Sequence, residues 1–573
     1  RSPPRLRKSG YPTAQNVMSE DGNIIRKYAI ENAISYGKAQ SKSVIGHVLR
    51  ELPDLKKDMN ATMKEIDNIV TGVNKLSKAK LEEEFSKNGF EKKTEKKKGV
   101  LSDLPNVKGQ VVMRFAPNPS GPLHIGHART AILNDEYVKK YGGKLYLRIE
   151  DTDPKRVDKG AYHMIEEDLK WLGVEINDTI TQSRRLAVYR DFAVRLIKQG
   201  NAYICSCGQE SFKKLKDKGK ECPCRSNDLK KNAELWNKML DGKTGLVLNL
   251  KTDIKHKNPA LRDFPIMRVI REYHPHTGES WDLYPLMNFS VVVDDHLMGL
   301  THVLRGKDHI VNTERQLFIY DYLGWNPPEF IHNGLLNVSG VNLSTSAMSK
   351  GIEEGAYKGW ADPKLGTLRA LKRRGFEPEA IRNIMKAIGI GDSDVTFDWS
   401  SLYAENKKLI EAKANRYFFV PDPEESWIKG VPEKADVIRI PLHPDFSKRG
   451  HRDLILNKDD DTVKVFIAKR DAAKLKKGAI IRLKNFCNVQ VDEVRPLMLR
   501  YLEEKDTNVP IIQWLPENVI GCEVIGPEKK TAGFCEEDCR HLDHGDIIQF
   551  ERFGFCRVHE VEGNHLLAYF AHS

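Results

Sequence analysis

A strand–loop–helix–strand pattern at residues 111–149 restricts the fold of this chain more than any other feature. Residues 111–115 and 144–149 have the apolar character of strands, and residues 125–141 between them predict a helix. We expect this helix to end at Gly142, because glycine favours the left-handed conformation that closes many helices. Two strands joined in this way are typical of the parallel sheet of an α/β domain. Ligands of such sheets bind at the carboxyl ends of the strands, where the connecting loop must lie.

The charge balance of the chain fits two kinds of surface. Lys and Arg outnumber Asp and Glu by 92 to 80, which gives a formal net charge of +12. Such an excess is typical either of an ordinary soluble surface or of a protein with a polyanionic partner. No apolar run approaches the ~18 residues of a membrane helix, and the basic start lacks the apolar stretch of a signal peptide. We therefore expect a cytoplasmic protein whose nine cysteines stay reduced.

The loop before the predicted helix carries a pair of histidines, His124 and His127, with Gly126 between them. Two side chains three residues apart share one face of a helix. Gly126 has no side chain, so a flat ligand can approach the backbone. The N-terminus of a helix favours an anionic phosphate, and a neutral imidazole can donate a hydrogen bond to it. The alternative for such a pair alone is a buried or metal-binding pair of histidines.

The sequence around these histidines resembles a known signature. Residues 114–127, Arg-Phe-Ala-Pro-Asn-Pro-Ser-Gly-Pro-Leu-His-Ile-Gly-His, resemble that of the class I aminoacyl-tRNA synthetases, in the glutamyl/glutaminyl branch. Residues 347–351, Ala-Met-Ser-Lys-Gly, resemble the second signature of that family, the K-M-S-K-S loop, with Ala347 and Gly351 in place of its first lysine and last serine. The resemblance extends from about residue 111 to the C-terminus.

The resemblance implies a Rossmann-type catalytic domain that uses ATP and Mg²⁺. Glutamate would attack the α-phosphate of ATP, and the terminal adenosine of tRNA would then attack the activated carbonyl. His124, His127 and Lys350 would be catalytic, because both steps build charge that these groups can stabilise. The ATP site implied by the resemblance comprises Pro117, His124, Gly126, His127, Asp308, Met348, Ser349 and Lys350.

A glutamate site needs a carboxylate for the ammonium and cationic donors for the two carboxylates. By resemblance Glu150 is the partner of the ammonium. Arg305 favours glutamate over glutamine, because glutaminyl enzymes of this branch have a small uncharged residue there and a buried guanidinium facing an amide would be unpaired. Taken alone, each such residue is equally typical of an ordinary ion pair or core polar group. The implied pocket is Arg114, Ala116, Asn118, Glu150, Tyr284, Asn288 and Arg305.

Two close cysteine pairs predict a metal site. Fourteen residues separate the pair Cys205 and Cys207 from the pair Cys222 and Cys224, and four thiolates are enough for a closed, structural zinc site. The alternative is four reduced cysteines that are neighbours only in sequence. By resemblance the site lies in an insertion that grips the acceptor end of tRNA. The remaining cysteines are expected to be ordinary residues.

The pattern changes along the chain and predicts roughly three to five domains. We expect an appended segment or short natural basic tail, N-terminal helices with a basic linker, a Rossmann first half, an acceptor-binding insertion, a Rossmann second half, a helical stem-contact region and a β-barrel anticodon-binding module. The lysines at the end of the linker indicate a solvated segment, with tRNA contact as the alternative. The respective ranges are 1–17, 18–102, 103–204, 205–280, 281–354, 355–435 and 436–573.

The strand-rich last part favours the archaeal/eukaryotic type of glutamyl enzyme over the bacterial type, which ends in helices. The hypothesis is therefore an ATP-dependent ligase, a cytoplasmic monomer that joins L-glutamate to tRNA(Glu), with charging of tRNA(Gln) left open. The N-terminal helices are a candidate site for a protein partner. Three alternatives remain: a glutaminyl enzyme, a non-catalytic tRNA-binding relative, and a nucleotidyltransferase that shares only the histidine loop.

Overall fold

The computed structural model of the protein divides into two compact units, Arg1–Lys98 and Gly99–Ser573. The residues that the structure describes are 20–87, 101–278, 282–504 and 508–573. The predicted appended segment and the lysine run at the end of the predicted linker lie outside the described residues, so both stay predictions. Among the described residues, no helix is long and apolar enough to cross a membrane.

The first unit is a bundle of helices, as the sequence predicts. Their apolar faces meet in a core that includes Ile25, Ile66 and Val70. Pro53 begins a short 3-10 turn, and Asp58 then caps the third helix by accepting a hydrogen bond from the Ala61 N–H. In chain order the helices are α1 (Glu20–Tyr36), α2 (Ser41–Glu51), α3 (Met59–Val73) and α4 (Lys78–Lys87).

The second unit begins with the predicted parallel sheet. Its first strand pairs in parallel with the second, and the second pairs in parallel with the third. The helix between the first two strands ends at Gly142, which has a φ of 61°. The fold class is therefore confirmed for this part, because the carboxyl ends of the strands meet at one edge. The elements are β1 (Val112–Phe115), α5 (Ile125–Tyr141), β2 (Lys144–Ile149), α6 (Ala161–Trp171) and β3 (Asp178–Thr181).

An antiparallel four-stranded sheet, in the order β4-β5-β6-β7, interrupts the parallel region. After it, the Thr301 N–H donates to the Val112 carbonyl at 3.0 Å, which sets the next strand, β8, beside β1. The elements are α7 (Leu186–Lys198), β4 (Ala202–Cys205), α8 (Gln209–Asp217), α9 (Leu229–Leu240), β5 (Val247–Leu250), β6 (Phe264–Ile270), β7 (Asp282–Pro285), α10 (Met287–Leu297), β8 (His302–Gly306), α11 (Ile310–Leu323), β9 (Glu329–Asn333), β10 (Leu336–Val338) and α12 (Thr345–Glu353).

A helical region follows, in agreement with the sequence pattern. Its helix α14 packs on α5, and Arg382 of α14 donates to Asp135 at 2.6 Å and to Glu136 at 2.5 Å. Leu371, Phe376 and Ile381 join the same apolar core as the parallel sheet. The elements are α13 (Leu368–Arg374), α14 (Pro378–Ile388), β11 (Val395–Phe397) and α15 (Trp399–Ile410).

The last part consists almost entirely of strands, which confirms the predicted β region. It is formed by two sheets with separate cores and by one hairpin, β15-β16. The strand order of the first sheet is β12-β26-β27-β28-β24-β25-β13. The strand order of the second sheet is β17-β18-β14-β21-β20-β19-β22, and β23 also pairs with β18. The elements are β12 (Asn415–Tyr417), β13 (Phe419–Pro421), β14 (Pro423–Lys429), β15 (Val437–Pro441), β16 (His451–Ile455), β17 (Lys458–Asp459), β18 (Thr462–Ala468), α16 (Lys469–Ala472), β19 (Ile480–Leu483), β20 (Asn488–Val494), β21 (Leu497–Leu502), β22 (Ile511–Ile512), β23 (Trp514–Pro516), β24 (Val519–Ile525), β25 (Lys530–Glu536), β26 (Ile547–Phe550), β27 (Gly554–Glu562) and β28 (His565–His572).

The expected start of this β region at residue 436 is too late. Strands β12 and β14 precede residue 436 and already belong to the sheets of this region. Strand β12 pairs with β26, and β14 pairs with β18 and β21. The region therefore begins at Asn415. Prolines at 421 and 423 and the acidic pair that follows hide the strand signal in the sequence, because proline and acidic residues are rare in strands.

The Arg382 contact gives a test of how the helical region is held. Replacing Arg382 with Ala should lower the free energy of unfolding by about 3 kcal/mol, because it leaves the buried carboxylate of Asp135 without its main cation. Urea unfolding followed by circular dichroism measures the change. Arg439→Ala is the matched control, since its exposed pair with Asp453 is worth only about 0–1 kcal/mol. Equal losses in the two variants would contradict the assignment.

Candidate active site

The two predicted histidines begin helix α5 in a reciprocal arrangement. His124 is the N-cap residue, and its Nδ1 accepts the Gly126 N–H at 3.1 Å, while the His124 N–H donates to Nδ1 of His127 at 3.3 Å. The two imidazole rings stack with centroids 3.7 Å apart. The two side chains thus lie side by side at the start of the helix, as expected, with His124 at the N-cap position just before the first turn. Its capping role satisfies one of the free N–H groups of the first turn.

Gly126 is needed for this stack rather than only for access of a ligand. A Cβ at this position would lie 3.0 Å from the imidazole ring of His124, closer than ordinary van der Waals contact. Any larger residue would therefore push the His124 ring away from His127. The sequence identified the right glycine but gave only part of its role.

Both imidazoles are neutral at physiological pH. Burial, together with the adjacent His127, lowers the pKa of His124 to about 2, and burial lowers the pKa of His127 to about 4. Because Nδ1 of each ring accepts a backbone N–H, the proton of each neutral ring resides on Nε2. Each ring can therefore donate one hydrogen bond from Nε2 without adding a full charge.

A cavity of about 450 Å³ opens beside His127 at the carboxyl ends of β1, β2 and β8. This is the edge at which the sequence pattern places a ligand, and the volume is typical of a small-molecule site. Nine of the predicted residues line it: Arg114, Ala116, Pro117, Asn118, Gly126, His127, Glu150, Arg305 and Asp308.

Two buried arginines give this cavity its charge. Arg114 is 7% exposed and Arg305 is 9% exposed. Burial lowers the pKa of Arg305 to about 10, and the guanidinium of Arg114 lowers it further. Arg305 donates from Nη2 to Thr313 and Gln316, but the Nε atoms of both arginines have no hydrogen-bond partner among the described residues. The cavity thus presents two cations with unused donors, which suits an anionic ligand.

A carboxylate is held in the same cavity by a third arginine. Arg148 is fully buried, and it donates to Glu150 at 3.0 Å and to Asp295 at 2.5 Å. Burial lowers the pKa of Arg148, but the two carboxylates outweigh this and hold it above its usual range. The backbone carbonyl of Glu150 also accepts from Asn118 at 2.8 Å. Glu150 is therefore fixed at the cavity wall.

Sequence reasoning missed Arg148 and Asp295 as parts of the site. Arg148 lies in the strand that leads to Glu150, where an arginine among apolar residues is unusual. Asp294 and Asp295 follow three consecutive valines in α10, and buried carboxylates in an apolar run need a partner. These two patterns were the available signals, although neither identifies its partner.

Tyr284 and Asn288 lie outside the lining of the cavity. The Tyr284 hydroxyl shares a 2.6 Å hydrogen bond with that of Thr277. The side-chain oxygen of Asn288 accepts from Gln316 at 3.0 Å, and Gln316 in turn accepts from Arg305. Asn288 therefore supports Arg305 through one intermediate side chain.

The segment that resembles the second signature forms a helix, not the expected loop. Ser344 caps α12 by accepting from the Ala347 N–H. Met348 is buried against Leu365 and Ala370. The Lys350 side chain is 73% exposed, and its Nζ lies 3.6 Å from a carboxylate oxygen of Glu354.

None of the three matching residues of this segment, Met348, Ser349 and Lys350, lines the cavity of the histidine loop. Gly351 packs against Tyr357, where a Cβ would lie 2.5 Å from the ring. The glycine that replaces the last serine of the signature is thus explained by a close contact.

The four predicted cysteines come together at the end of β4. The Sγ atom of Cys222 lies 3.3 Å from that of Cys205 and 3.4 Å from that of Cys207, and Cys207 lies 3.6 Å from Cys224. All four sulfur atoms are within 4.8 Å of one another. Sulfur ligands of a tetrahedral zinc, with Zn–S bonds of ~2.3 Å, would be ~3.8 Å apart. The arrangement fits a zinc ion with only small adjustments.

In a second cluster, Asp151, His274 and His276, the side chains of His274 and Asp151 already have hydrogen-bond partners. Nε2 of His274 donates to the backbone carbonyl of Asp151 at 2.9 Å, and its Nδ1 accepts the His276 N–H. The Asp151 carboxylate already accepts from Ser183 and Tyr162. This cluster is a structural junction beside the glutamate-binding candidate Glu150.

Comparison with known proteins assigns this geometry to a family. The family described as "tRNA synthetases class I (E and Q), catalytic domain" matches residues 110–412, which is more than half of the chain. The chain belongs to this family. Two models of "tRNA synthetases class I (E and Q), anti-codon binding domain" match residues 414–498 and 511–559 of this synthetase, within its β region.

Curated relatives cover nearly the whole synthetase. "Glutamate--tRNA ligase" of Methanocaldococcus jannaschii is 48% identical, over 95% of this chain and 98% of its own length. "Glutamate--tRNA ligase" of Methanopyrus kandleri is 43% identical, over 96% of this chain and 99% of its own length. That of Methanobrevibacter smithii is 45% identical, over 97% of this chain and 100% of its own length. A crystal structure of a glutamate tRNA ligase from Elizabethkingia meningosepticum covers 53% of this chain and 70% of its own, at 21% identity and a TM-score of 0.38.

The buried histidines give this synthetase a characteristic response to acid. His127 has a pKa of about 4 when folded, against about 6.5 when unfolded, so the unfolded chain takes up the proton first. The stability contributed by the neutral ring is complete above about pH 6.5 and is lost as the pH falls toward about 4.

We therefore expect the wild-type protein to lose about 1 kcal/mol more stability than His127→Asn between about pH 7.5 and pH 5.5. Urea unfolding of both proteins at intermediate pH values measures the difference. Parallel pH profiles of the two proteins would show that His127 is not buried in its neutral form.

Proposed function

We propose that this chain is a ligase that joins L-glutamate to tRNA(Glu) with ATP and Mg²⁺ as in its family. The observation that carries the proposal is the charge of the cavity beside the histidine loop. Glutamate has one ammonium and two carboxylates, while the cavity offers Glu150 and the two guanidiniums of Arg114 and Arg305. Each charge of the substrate therefore has a group of opposite sign at the cavity wall, where the carboxylate of Asp308 is an additional charge. The names of the relatives support the same substrate.

Glu150 would bind the ammonium, and its carboxylate is already oriented by Arg148. Arg305 would bind the γ-carboxylate with help from its Nε donor, which has no hydrogen-bond partner among the described residues. Arg114 and Asn118 would orient the other end of the substrate from β1 and the loop after it. A substrate held in this way places its α-carboxylate at the N-terminus of α5, where the phosphates of ATP are expected to bind.

In the first step an oxygen of the α-carboxylate attacks the α-phosphate of ATP, and pyrophosphate leaves. His127 would donate from Nε2 to the phosphate, together with the positive end of helix α5, as charge develops. Mg²⁺ bound with ATP would neutralise part of the phosphate charge. In the second step the terminal adenosine of tRNA attacks the activated carbonyl, and AMP leaves. No side chain needs to act as a covalent nucleophile.

Lys350 would assist only after a movement. In the structure it lies on α12 with its side chain in solvent, and its pair with Glu354 is exposed. Such a pair is worth only about 0–1 kcal/mol, so releasing Lys350 toward a phosphate costs little. His124 would act chiefly by holding the His127 ring, since Gly126 and His127 line the cavity and His124 does not.

The remaining regions are assigned by the same proposal. The insertion from residue 205 to 280 would hold the acceptor end of tRNA, the helical region would contact the stem, and the β region would read the anticodon. Proteins that read single-stranded RNA loops usually stack the unpaired bases on aromatic side chains, and hydrogen bonds to the base edges give specificity. We propose a cytosolic monomer, and we assign the N-terminal helices as the candidate site for a protein partner.

The first test is the choice of amino acid. The wild-type enzyme should charge tRNA(Glu) with glutamate and not with glutamine. Replacing Arg305 with Ser should lower kcat/KM for glutamate about 100-fold or more, because the γ-carboxylate loses its cation. Glutamine should lose far less, since the unpaired guanidinium that excluded it is gone.

The measured quantity is the ratio of kcat/KM for the two amino acids. Arg315→Ser is the control, because Arg315 donates to the Ala260 carbonyl and does not line the cavity. A loss of the same factor for both substrates in Arg305→Ser would mean that Arg305 binds the α-carboxylate or supports the backbone.

The second test is the metal content. We propose that the four cysteines at the end of β4 hold one structural zinc ion, because the Sγ positions fit a tetrahedral site and no open position remains for a substrate. The purified protein should contain about one zinc per chain, and Cys222→Ala should lose it. Cys487→Ala, at a buried cysteine outside the cluster, should keep it. Elemental analysis that finds no zinc in chelator-free wild-type protein would refute this proposal.

A further inference from the structure

Arg305 is held by two acceptors on one face of helix α11. Its Nη2 donates to the Thr313 hydroxyl at 2.6 Å and to the side-chain oxygen of Gln316 at 3.0 Å. Thr313 and Gln316 are three residues apart, so their side chains lie on the same side of the helix. The ring of Phe330 packs on the guanidinium, with its centroid 4.6 Å from Cζ. The direction in which Arg305 presents its remaining donors to the cavity therefore depends on these neighbours.

The Thr313 hydroxyl can accept from Arg305 in two arrangements. Its single hydrogen is directed either to Nε2 of His332 at 2.7 Å or to the His309 carbonyl at 3.2 Å. A lone pair of the hydroxyl oxygen remains for the guanidinium in both cases. Burial, together with Arg305, lowers the pKa of His332, so this ring stays neutral beside the guanidinium. Thr313 thus adapts to Arg305 and does not impose one arrangement on it.

The amide of Gln316, by contrast, suits Arg305 in only one orientation. An amide has an acceptor and a donor, and the guanidinium needs the acceptor. Gln316 is fully buried, and its Nε2 donates to Oδ1 of Asn288 at 3.0 Å. Rotating this amide by 180° would set an N–H against Arg305 and an oxygen against Oδ1 of Asn288. Asn288 therefore holds Gln316 with its oxygen toward the guanidinium.

The orientation of Asn288 is set in turn by residues at the start of α11. Its Nδ2 donates to Oδ1 of Asn312 at 3.2 Å. This leaves Nδ2 of Asn312 for Nδ1 of His309, 3.1 Å away, so Nδ1 accepts and the proton of the neutral ring resides on Nε2. Nε2 of His309 lies 3.7 Å from a carboxylate oxygen of Asp308. In each hydrogen bond the donor belongs to the residue nearer to Arg305 along this chain.

These residues form one continuous chain, which we call the amide relay. It begins at a cation and ends beside an anion, and in such a chain each hydrogen bond polarises the next. Its two ends line the cavity, whereas its three amide side chains do not. The amides can therefore act on a ligand only through the end residues. The amide relay comprises, in order, Arg305, Gln316, Asn288, Asn312, His309 and Asp308.

We propose that Gln316 is a positioning residue for the choice of glutamate, and that the amide relay fixes the orientation of its amide. The inference rests on the proposed function for the role of Arg305 toward the γ-carboxylate. Gln316 is a neutral acceptor, so it orients the guanidinium and leaves its charge for the substrate. A carboxylate at this position would neutralise that charge, and an apolar side chain would leave the guanidinium without one of its two acceptors.

The test compares KM for glutamate and for ATP in aminoacylation of tRNA(Glu) by the full-length protein. Gln316→Leu should raise KM for glutamate about tenfold, because a hydrogen bond to a charged group is lost. Gln316→Glu should raise it about 100-fold or more, because the new carboxylate pairs with Arg305 and repels that of the substrate. In both variants kcat and KM for ATP should change much less, since Gln316 does not reach the reacting atoms.

Glutamine provides a readout that a merely structural role would not move. In Gln316→Glu the kcat/KM for glutamine should be retained or rise, because its neutral amide no longer meets an uncompensated guanidinium. The ratio of kcat/KM for glutamate to that for glutamine should therefore fall. A loss of kcat/KM by the same factor for both amino acids would overturn the proposal, since it would mean general support of the fold.

Asn312 tests the amide relay at a half-buried position outside the cavity, where a substitution disturbs folding less than at Gln316. Asn312→Leu removes the acceptor of Asn288, so the amides of Asn288 and Gln316 can rotate, and KM for glutamate should rise about threefold. Asn312→Asp keeps that acceptor and should leave KM near the wild-type value. Glu314→Leu is the control, because it places the same side chain at an exposed residue of α11.

The possible results separate this inference from the proposed function. A wild-type protein that charges tRNA(Glu) with no glutamate would overturn the proposed function and this inference with it. A wild-type protein that charges glutamate, with the same KM for glutamate in Asn312→Leu and Glu314→Leu, would overturn only the amide relay. The positioning role of Gln316 is then decided by its own two variants.

Discussion

The buried guanidinium of Arg148 is the interaction on which the catalytic part depends. It lies between Glu150, which directly follows the same strand, and Asp295 on α10, which follows the inserted sheet in the sequence. Burying an ion costs several kcal/mol unless its partners are well placed. The two carboxylates meet this condition only when the first and second halves of the parallel region are joined. Assembly of the halves and orientation of Glu150 are therefore one event.

Helix α10 connects that event to the insertion. Asp295 faces Arg148, whereas its neighbour Asp294 accepts from Gln182, Arg185 and Tyr189 at the entrance to the inserted sheet. The adjacent residues Asp294 and Asp295 of α10 thus bind two different neighbouring parts of the structure. The stacked histidines are neutral, so they add no positive charge beside the guanidiniums of Arg114 and Arg305.

The sequence predicts local features of this structure closely and distant pairings poorly. The strand at 144–149 and the helix at 125–141 agree with the structure residue for residue, because apolar periodicity and Gly142 act within a few residues. The cysteine cluster was also accessible, since its spacing alone suggests four ligands.

The pairing of Arg148 with Asp295 joins residues 147 positions apart, which no local pattern reveals. The helix at Met348–Lys350 was missed for a different reason. Its signature suggests a loop, while the cap at Ser344 and the buried face of Met348 decide the local conformation. Likewise the side-chain cap at His124 was not predicted, because it depends on side-chain rotamers, which sequence spacing does not specify.

Strand β28, at the end of the chain, packs against helices α13 and α15 of the helical region. Arg374 at the end of α13 donates to the carbonyls of Phe570 and Ala571, and Asn406 in α15 bonds to His572, 166 residues later. The side chains of Phe376 and Tyr403 also stack near the His572 ring. During translation the ribosome therefore releases α13 and α15 long before their last neighbour is made. For that interval, the surface of these helices that β28 covers in the folded protein lacks this neighbour.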